Sequence, residues 1–330
     1  MKPFSLLITL VVLTLVGCGT PANNQVKSET PAKVGEPKQI VVSFYPLAFI
    51  TEQIVGNEAT VINIAGSVDV HEYEPSPQDM VMINEADLVI YQGAALEPWA
   101  DDVIPELQKK DIATLEVTHD IKLEKTEEHE EHEEEHHEAD DHDDDHEDEG
   151  EHDEHHHGGF DPHTWLDPVL VQDMVDEILD AVVTIDNANK AIYETNAELL
   201  KKQFADLNNA FKSSLIQCAK EEVIVSHDAY GYLARRYGFK IHPISGLSTQ
   251  DKPSAKILAE LKDEAADGIT HILIEENNIR RFADTLATET GLKTLPINPL
   301  GRGTLDPEKN FFDIMNENLN SLSIALHCQQ

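Results

Sequence analysis

Histidine residues are concentrated in one tract of the chain, residues 127–157. The tract consists of His, Asp and Glu except for Ala139 and Gly150, and it contains no Lys or Arg. Imidazole and carboxylate groups both bind borderline divalent metals. The alternative is a solvated acidic spacer, but such a spacer would need no histidines, so the tract indicates weak metal binding. Because it has no branched aliphatic or aromatic side chain to bury, we predict a disordered loop. Its accessory weak metal ligands are predicted to be His129, His132, His136, His137, His142, His146, His152, His155, His156 and His157.

Three further histidines occur singly, each in a turn or at the end of a predicted strand. His71 lies in DVHEYEPSPQD after a strand-like run, His163 lies in GFDPHTWLDP just after the tract, and His227 ends the run EVIVSH. Ligands of parallel α/β sheets bind beyond the carboxyl ends of the strands, so these residues can converge on one cleft. Three neutral imidazoles form a strong Zn²⁺ shell that needs one further ligand.

Carboxylates beside two of these histidines are able to orient the imidazole rings by accepting a hydrogen bond from the second ring nitrogen. The candidates for this role are Glu72, Glu74, Asp161 and Asp167.

Strand-like and helical patterns alternate along both halves of the chain, which predicts parallel sheets with helices on both faces. The fold class is therefore α/β, with two lobes that each contain a four-stranded parallel sheet flanked by helices. The predicted strands begin at Ile40, Ala59, Leu88 and Ala113 in the first half and at Glu222, Lys240, His271 and Lys293 in the second.

A long helix is predicted to join the two lobes. Residues 190–215 place apolar side chains at alternating steps of three and four, a single stripe over about 40 Å at about 1.5 Å per residue. A helix of this length acts as a stiff strut, so we expect the metal site to lie in the cleft between rigidly joined lobes. The stripe consists of Tyr193, Ala197, Leu200, Phe204, Leu207, Phe211 and Leu215.

The predicted domain boundaries follow from these patterns. The N-terminal lobe covers residues 38–168, the connecting helices cover 169–217 and the C-terminal lobe covers 218–330. Cys218 and Cys328 are predicted to form a disulfide that closes a loop of roughly 110 residues, with two free thiols as the alternative.

The N-terminus is typical of a targeting segment. Residues 1–17 have a basic start and an apolar core too short to span a bilayer, and they are predicted to be a signal peptide. The sequence LVGC favours cleavage before Cys18, lipidation of that cysteine, and a flexible tether over residues 18–37. We therefore expect an extracytoplasmic protein that is anchored to the membrane by lipid. A net charge of −39 argues against nucleic acid and anionic membrane surfaces as partners.

Four segments together resemble the ZnuA-type zinc-binding proteins of ABC importers. The first contains HEYEPSPQDM and, shortly after it, INEADLVIYQGAALEPW; the other three are DPHTWLDP, SHDAYGYLARRYG and INPLGRGTLD. The resemblance implies a monomeric, non-enzymatic protein that captures Zn²⁺ with high affinity and delivers it to a membrane permease. It also implies that the metal ligands are His71, His163 and His227. Manganese and iron relatives typically have a carboxylate at the third position, so the imidazole there favours zinc.

The fourth ligand is open, because many relatives have Asp where this chain has Asn298. An amide is a poorer ligand for a divalent cation than a carboxylate. The candidates are a water molecule, which we favour, the Asn298 amide oxygen and, less favoured, Glu275 or Asp306.

Three other functions are compatible with the sequence. The first alternative is a surface adhesin or a zinc store. The second is a binding protein for Mn²⁺. The third function is that of a zinc hydrolase or lyase with Glu72 or Glu275 as the base, although no HExxH motif on a predicted helix places that base.

Overall fold

The computed structural model describes residues 37–125, 159–248, 253–266, 268–275, 280–303, 306 and 308–329. The predicted signal peptide, Cys18, the tether up to residue 36 and the whole tract of residues 127–157 lie outside these ranges, as do the ten accessory histidines.

The N-terminal lobe alternates strands and helices around a parallel sheet with the strand order β2-β1-β3-β4. Val and Ile in β1 and β3 are buried on both sides of the sheet, as expected where helices cover both faces. The elements are β1 (Lys38–Val42), α1 (Tyr45–Val55), β2 (Ala59–Asn63), α2 (Pro77–Glu85), β3 (Leu88–Tyr91), α3 (Ala100–Gln108) and β4 (Ala113–Glu116).

Two helices connect the lobes: α4 (Leu170–Ile185) and α5 (Lys190–Ser214). Helix α5 has 25 residues and is therefore about 37 Å long. The stripe predicted from the sequence is its buried face, with Leu215 at the C-cap. The helix packs against α1 and α4, so it belongs structurally to the N-terminal lobe as well as leading out of it.

The C-terminal lobe repeats the architecture, with a parallel sheet in the order β6-β5-β7-β8. Two four-stranded parallel sheets and a long joining helix confirm the predicted fold class. The elements are β5 (Glu222–His227), α6 (Gly231–Tyr237), β6 (Lys240–Ser245), α7 (Ala255–Ala266), β7 (His271–Ile274), α8 (Arg280–Thr290), β8 (Lys293–Pro296) and α9 (Phe311–Ala325).

An aromatic cluster fixes the last helix of the C-terminal lobe to helices of the N-terminal lobe and the connector. The Phe204 ring of α5 lies 5.4 Å from Phe311 and 4.8 Å from Phe312 of α9, measured between centroids. Phe49 of α1 stacks on Phe311 at 5.4 Å. Burying these rings stabilises one arrangement of the lobes, because turning one lobe would expose aromatic surface.

A disulfide between Cys218 and Cys328 joins the chain just before β5 to the segment after α9. Backbone hydrogen bonds from Ala219 to His327 and from Lys220 to Leu326 reinforce this connection. Among the described residues, no helix is both long and apolar enough to cross a membrane.

Phe204 provides a test of the aromatic cluster. We expect Phe204→Ala to lower the free energy of unfolding by about 3–5 kcal/mol, because a fully buried ring is replaced by a cavity. Leu199→Ala in the same helix is the matched control: its side chain is 61% exposed, and the expected change is within about 0.5 kcal/mol. Urea unfolding followed by circular dichroism measures both; equal stability of the two variants would contradict this packing.

Candidate metal site

His71 is positioned by an aspartate that precedes it by two residues. A 3₁₀ turn, Val70–Glu72, follows β2, and Asp69 caps it by accepting a hydrogen bond from the backbone N–H of His71 at 3.1 Å. This local bond orients the turn so that the His71 side chain points into the cleft between the lobes. His71 is partly buried there.

Asp161 fixes both the backbone and the imidazole ring of His163. Asp161 Oδ1 accepts hydrogen bonds from the backbone N–H of His163 at 3.0 Å and from its Nδ1 at 2.8 Å. Because Nδ1 carries the proton in this arrangement, Nε2 has a lone pair available to a metal. The residue is completely buried, at the start of the 3₁₀ turn Thr164–Leu166.

His227 is the last residue of β5, at the carboxyl end of the C-terminal sheet. Its Nε2 donates to the carbonyl oxygen of Leu247 at 2.8 Å, and its Nδ1 lies 3.4 Å from Glu275 Oε1, an ion-pair distance. Glu275 immediately follows β7 and also accepts a hydrogen bond from the Tyr230 hydroxyl at 3.1 Å. The carboxylate is buried and so is fixed against the imidazole.

The three imidazoles converge on one point. Each contributes a ring nitrogen, and these nitrogens all lie within 4.8 Å of one another. The Nε2 atoms of His71 and His163 are 3.3 Å apart. Two ligands of a tetrahedral zinc ion with bonds of about 2.0–2.1 Å are separated by about 3.3 Å, so this spacing matches an edge of that tetrahedron.

Burial and neighbouring charge set the protonation of the three rings differently. Burial lowers the pKa of His71 to about 3 and also moves the pKa of His163 far below its usual range, with the nearby imidazoles adding to both effects. Burial acts in the same direction on His227, but the Glu275 carboxylate and the Leu247 carbonyl outweigh it and raise the pKa of His227 to about 9. Of the three rings, His227 is therefore the one that is positively charged at neutral pH.

The loop after β8 closes the site from the C-terminal lobe. Arg302 Nε donates to Asp69 Oδ2 at 3.1 Å, so the aspartate that caps the His71 turn also binds the opposite lobe. Trp165 Nε1 donates to the Pro299 carbonyl oxygen at 2.7 Å, and the Val70 N–H donates to the Gly301 carbonyl oxygen at 3.2 Å. These bonds hold the turns of His71 and His163 against the loop.

The residues considered for the fourth ligand have other contacts. The Asn298 side-chain oxygen accepts the Leu300 N–H at 2.7 Å, and its backbone is bound at both ends by the Asn318 amide. Asn298 thus shapes the loop after β8. Glu275 contacts His227, whereas Asp306 is exposed. Asn298, Asp69 and Glu275 line a neighbouring cavity. Water remains the predicted fourth ligand.

Of the four carboxylates predicted to orient the histidines, Asp161 does so, and Asp167 does not. The Asp167 side chain instead binds the Arg236 guanidinium of α6. The sequence reasoning missed Asp69 and Arg302. A usable signal for Asp69 was present, because both histidine turns have the pattern Asp-x-His, in which a short acidic side chain accepts the N–H two residues later.

Comparison with known proteins identifies the family of this site. Residues 40–325 match the ZnuA family, described as zinc-uptake complex component A, periplasmic. The chain belongs to the ZnuA family. It is 35% identical to the high-affinity zinc uptake system protein ZnuA of Bacillus subtilis (strain 168), over 97% of this chain and 96% of that protein. ZnuA proteins are binding components of zinc uptake and not enzymes, which excludes the zinc hydrolase considered above.

Two solved structures extend the ZnuA comparison. Zn(II)-bound AdcA of Streptococcus pneumoniae is 31% identical with a TM-score of 0.70, and the match covers 88% of this chain but only 58% of AdcA. The laminin-binding protein Lmb of Streptococcus agalactiae, described as bifunctional with adhesin and metal-transporting activity, is 27% identical with a TM-score of 0.73. That match covers 88% of this chain and 99% of Lmb.

The protonation of the site can be measured on the metal-free protein. We expect the His227 ring to lose its proton near pH 9, while His71 and His163 stay neutral throughout the neutral range. Glu275→Gln removes the charge that outweighs burial and should move the His227 midpoint to lower pH. Histidine ring resonances followed by NMR against pH report all three, with Glu289→Gln, a surface carboxylate paired with Lys262, as the control. A His227 midpoint that is the same in both variants would contradict the role given to Glu275.

Proposed function

We propose that this protein captures Zn²⁺ outside the cytoplasm and passes it to the membrane permease of an ABC importer, with His71, His163 and His227 as metal ligands. The observation that carries the proposal is the convergence of three imidazole nitrogens within 4.8 Å in a buried cleft. Burying three basic groups together is costly unless a cation occupies the space between them. The zinc-bound state of AdcA and the uptake function of the Bacillus subtilis relative support the same conclusion.

The chemistry of the ligands favours zinc over manganese. All three candidate ligands are imidazole nitrogens, which suit Zn²⁺, whereas Mn²⁺ prefers carboxylate and carbonyl oxygens. In addition, the Asn298 oxygen is used by the Leu300 N–H. With water as the fourth ligand, the shell has no negative charge of its own. Two carboxyl groups lie directly outside the shell: Asp161 beside His163, and Glu275 beside His227.

Zinc capture requires the loss of one proton. The metal-free His227 ring donates to Leu247 and faces Glu275, and a protonated nitrogen cannot bind a metal. Zinc entry therefore expels the His227 proton, and the Glu275 carboxylate then stabilises the zinc-bound imidazole by its negative charge. Acidification reverses this exchange, so the apparent affinity for zinc is expected to rise with pH up to about 9, near the pKa of His227.

Release is proposed to depend on the loop after β8 rather than on a large hinge motion. Helix α5 and the phenylalanine cluster join the lobes firmly. The contacts nearest the metal are the Asp69–Arg302 pair and the bond from Trp165 to Pro299. Opening these contacts on the permease would expose the site with little movement elsewhere. A lipid on Cys18 is proposed to keep the protein close to the membrane where the permease lies.

Removing either of two ligands tests the proposal. His71→Ala and His227→Ala should each weaken the tight zinc site by more than about 100-fold, the upper end of the loss caused by removing a partner outside the shell. Calorimetric titration against a competing chelator measures the change. His119→Ala is the control, because His119 is an exposed residue in neither described cluster of metal-ligating side chains. Tight binding that survives both substitutions would contradict the proposed site.

The accessory role of residues 127–157 has its own test. Deleting this tract should remove weak zinc equivalents while one tight equivalent remains, since the three proposed ligands lie outside it. Equilibrium dialysis over a range of zinc concentrations gives both the number of ions and their affinities. Loss of the tight equivalent on deletion would show that the tract supplies an essential ligand.

A further inference from the structure

A second group of metal-ligating side chains lies at the other end of the C-terminal sheet. Strand β5 begins at Glu222 and ends at His227, so about 16 Å of strand separates the two ends at about 3.3 Å per residue. Glu222, His242 and Glu264 each present one ligand atom there, and the three atoms lie within 4.8 Å of one another. Within the described part of the chain, this group and the three histidines are the two such clusters.

Three different elements bring these side chains together at the rim of one packed layer. Glu222 precedes the core residue Ile224 by two positions in β5, so both side chains lie on the same face of the sheet. His242 precedes Ile244 in the same way in β6. The strand pairing places His242 opposite Ile224, and α7 covers this face.

Glu264 completes the group from the helix. It follows the buried Leu261 by three positions in α7, which puts both side chains on the same face of that helix. The apolar layer of Ile224, Ile244 and Leu261 therefore ends in one imidazole and two carboxylates.

The two carboxylates flank the imidazole of His242, each beside a different ring nitrogen. Glu222 Oε2 lies 3.1 Å from His242 Nε2, close to the ligand separation of about 3.3 Å in a tetrahedral zinc site. Glu264 Oε1 lies 4.0 Å from His242 Nδ1. The side chains are 21–39% exposed, so an ion can reach them without rearrangement of the core.

Lys240 is close to Glu222 but does not neutralise both carboxylates of this group. Lys240 Nζ binds the other oxygen of Glu222, Oε1, at 3.1 Å, and the lysine side chain is 74% exposed. This leaves Glu222 Oε2 and the Glu264 carboxylate facing one imidazole. A neutral imidazole with two carboxylates is a ligand set that Zn²⁺ accepts, with water at the remaining position. The alternative is that no ion binds and that His242 only forms a hydrogen bond with a carboxylate, as Nε2 does with Glu222 Oε2 at 3.1 Å.

We propose that Glu222, His242 and Glu264 form a second Zn²⁺ site, weaker than the site of the three histidines and independent of it. Its weakness follows from its exposure and from the competition of Lys240 for Glu222. A bound ion would link the edge strand β6 to β5 and α7.

Position-resolved measurements on the full-length protein test this site, because the histidines of residues 127–157 are also predicted to bind zinc. The His242 ring resonances are followed by NMR while ZnCl₂ is added at neutral pH. We expect no change during the first equivalent and a saturable shift at higher zinc concentration. Zinc-soaked crystals should give an anomalous peak at the zinc edge beside His242 and another between the three histidines.

Conservative variants test whether zinc binds at His242 or whether the ring only forms hydrogen bonds there. His242→Gln should abolish the anomalous peak at this position, and Glu264→Gln should weaken the zinc response of His242 by about tenfold, the effect of about 1.4 kcal/mol. His119→Gln, at an exposed position, should change neither. Both test variants replace partly exposed polar groups and so should leave the first equivalent intact.

Two results would overturn the second site. One is a His242 ring that titrates with pH but does not respond to millimolar zinc; the other is a crystal peak without any response in solution. Neither result bears on the proposed function, which fails only if the first equivalent or the peak between the three histidines is missing.

Discussion

Three imidazoles must meet at one buried point without each carrying a positive charge, and the rest of the structure serves this constraint. Burial keeps His71 and His163 neutral, since no solvent is present to stabilise their charged forms. His227 differs because a buried carboxylate, Glu275, faces it. When a cation enters, His227 is thus the one ring of the three that must lose its charge. The other two rings are already neutral in the folded protein.

The precision of this meeting depends on how firmly the two lobes are joined. His71 belongs to the N-terminal lobe, His163 to the segment leading into α4, and His227 to the C-terminal sheet. A displacement of one lobe by about one ångström would change the distances from His227 to the pair formed by His71 and His163, whose Nε2 atoms are 3.3 Å apart. The buried face of α5 and the phenylalanine cluster resist such displacement, because it would open cavities in a close-packed interior.

Asp69 connects this framework to the site itself. One of its oxygens accepts the His71 N–H, and the other accepts Arg302 from the opposite lobe. A movement of the loop after β8 is therefore felt directly by the turn that carries His71. The same loop is shaped by Asn298, whose side-chain oxygen binds the Leu300 N–H. Asn298 therefore serves the loop.

Sequence alone was sufficient for the α/β class, the eight strands, the buried face of α5 and the choice of His71, His163 and His227 as candidates. These features depend on local periodicity and on turn residues, which the sequence displays directly. The roles of Asp69, Asp167 and Arg302 depended on the packing of the lobes, because their partners are up to 233 residues away. The same holds for the proton on His227: its pKa is set by a carboxylate 48 positions later, brought within 3.4 Å by the pairing of β5 with β7. Charge interactions act through space and fall off with distance, so only the folded chain determines them.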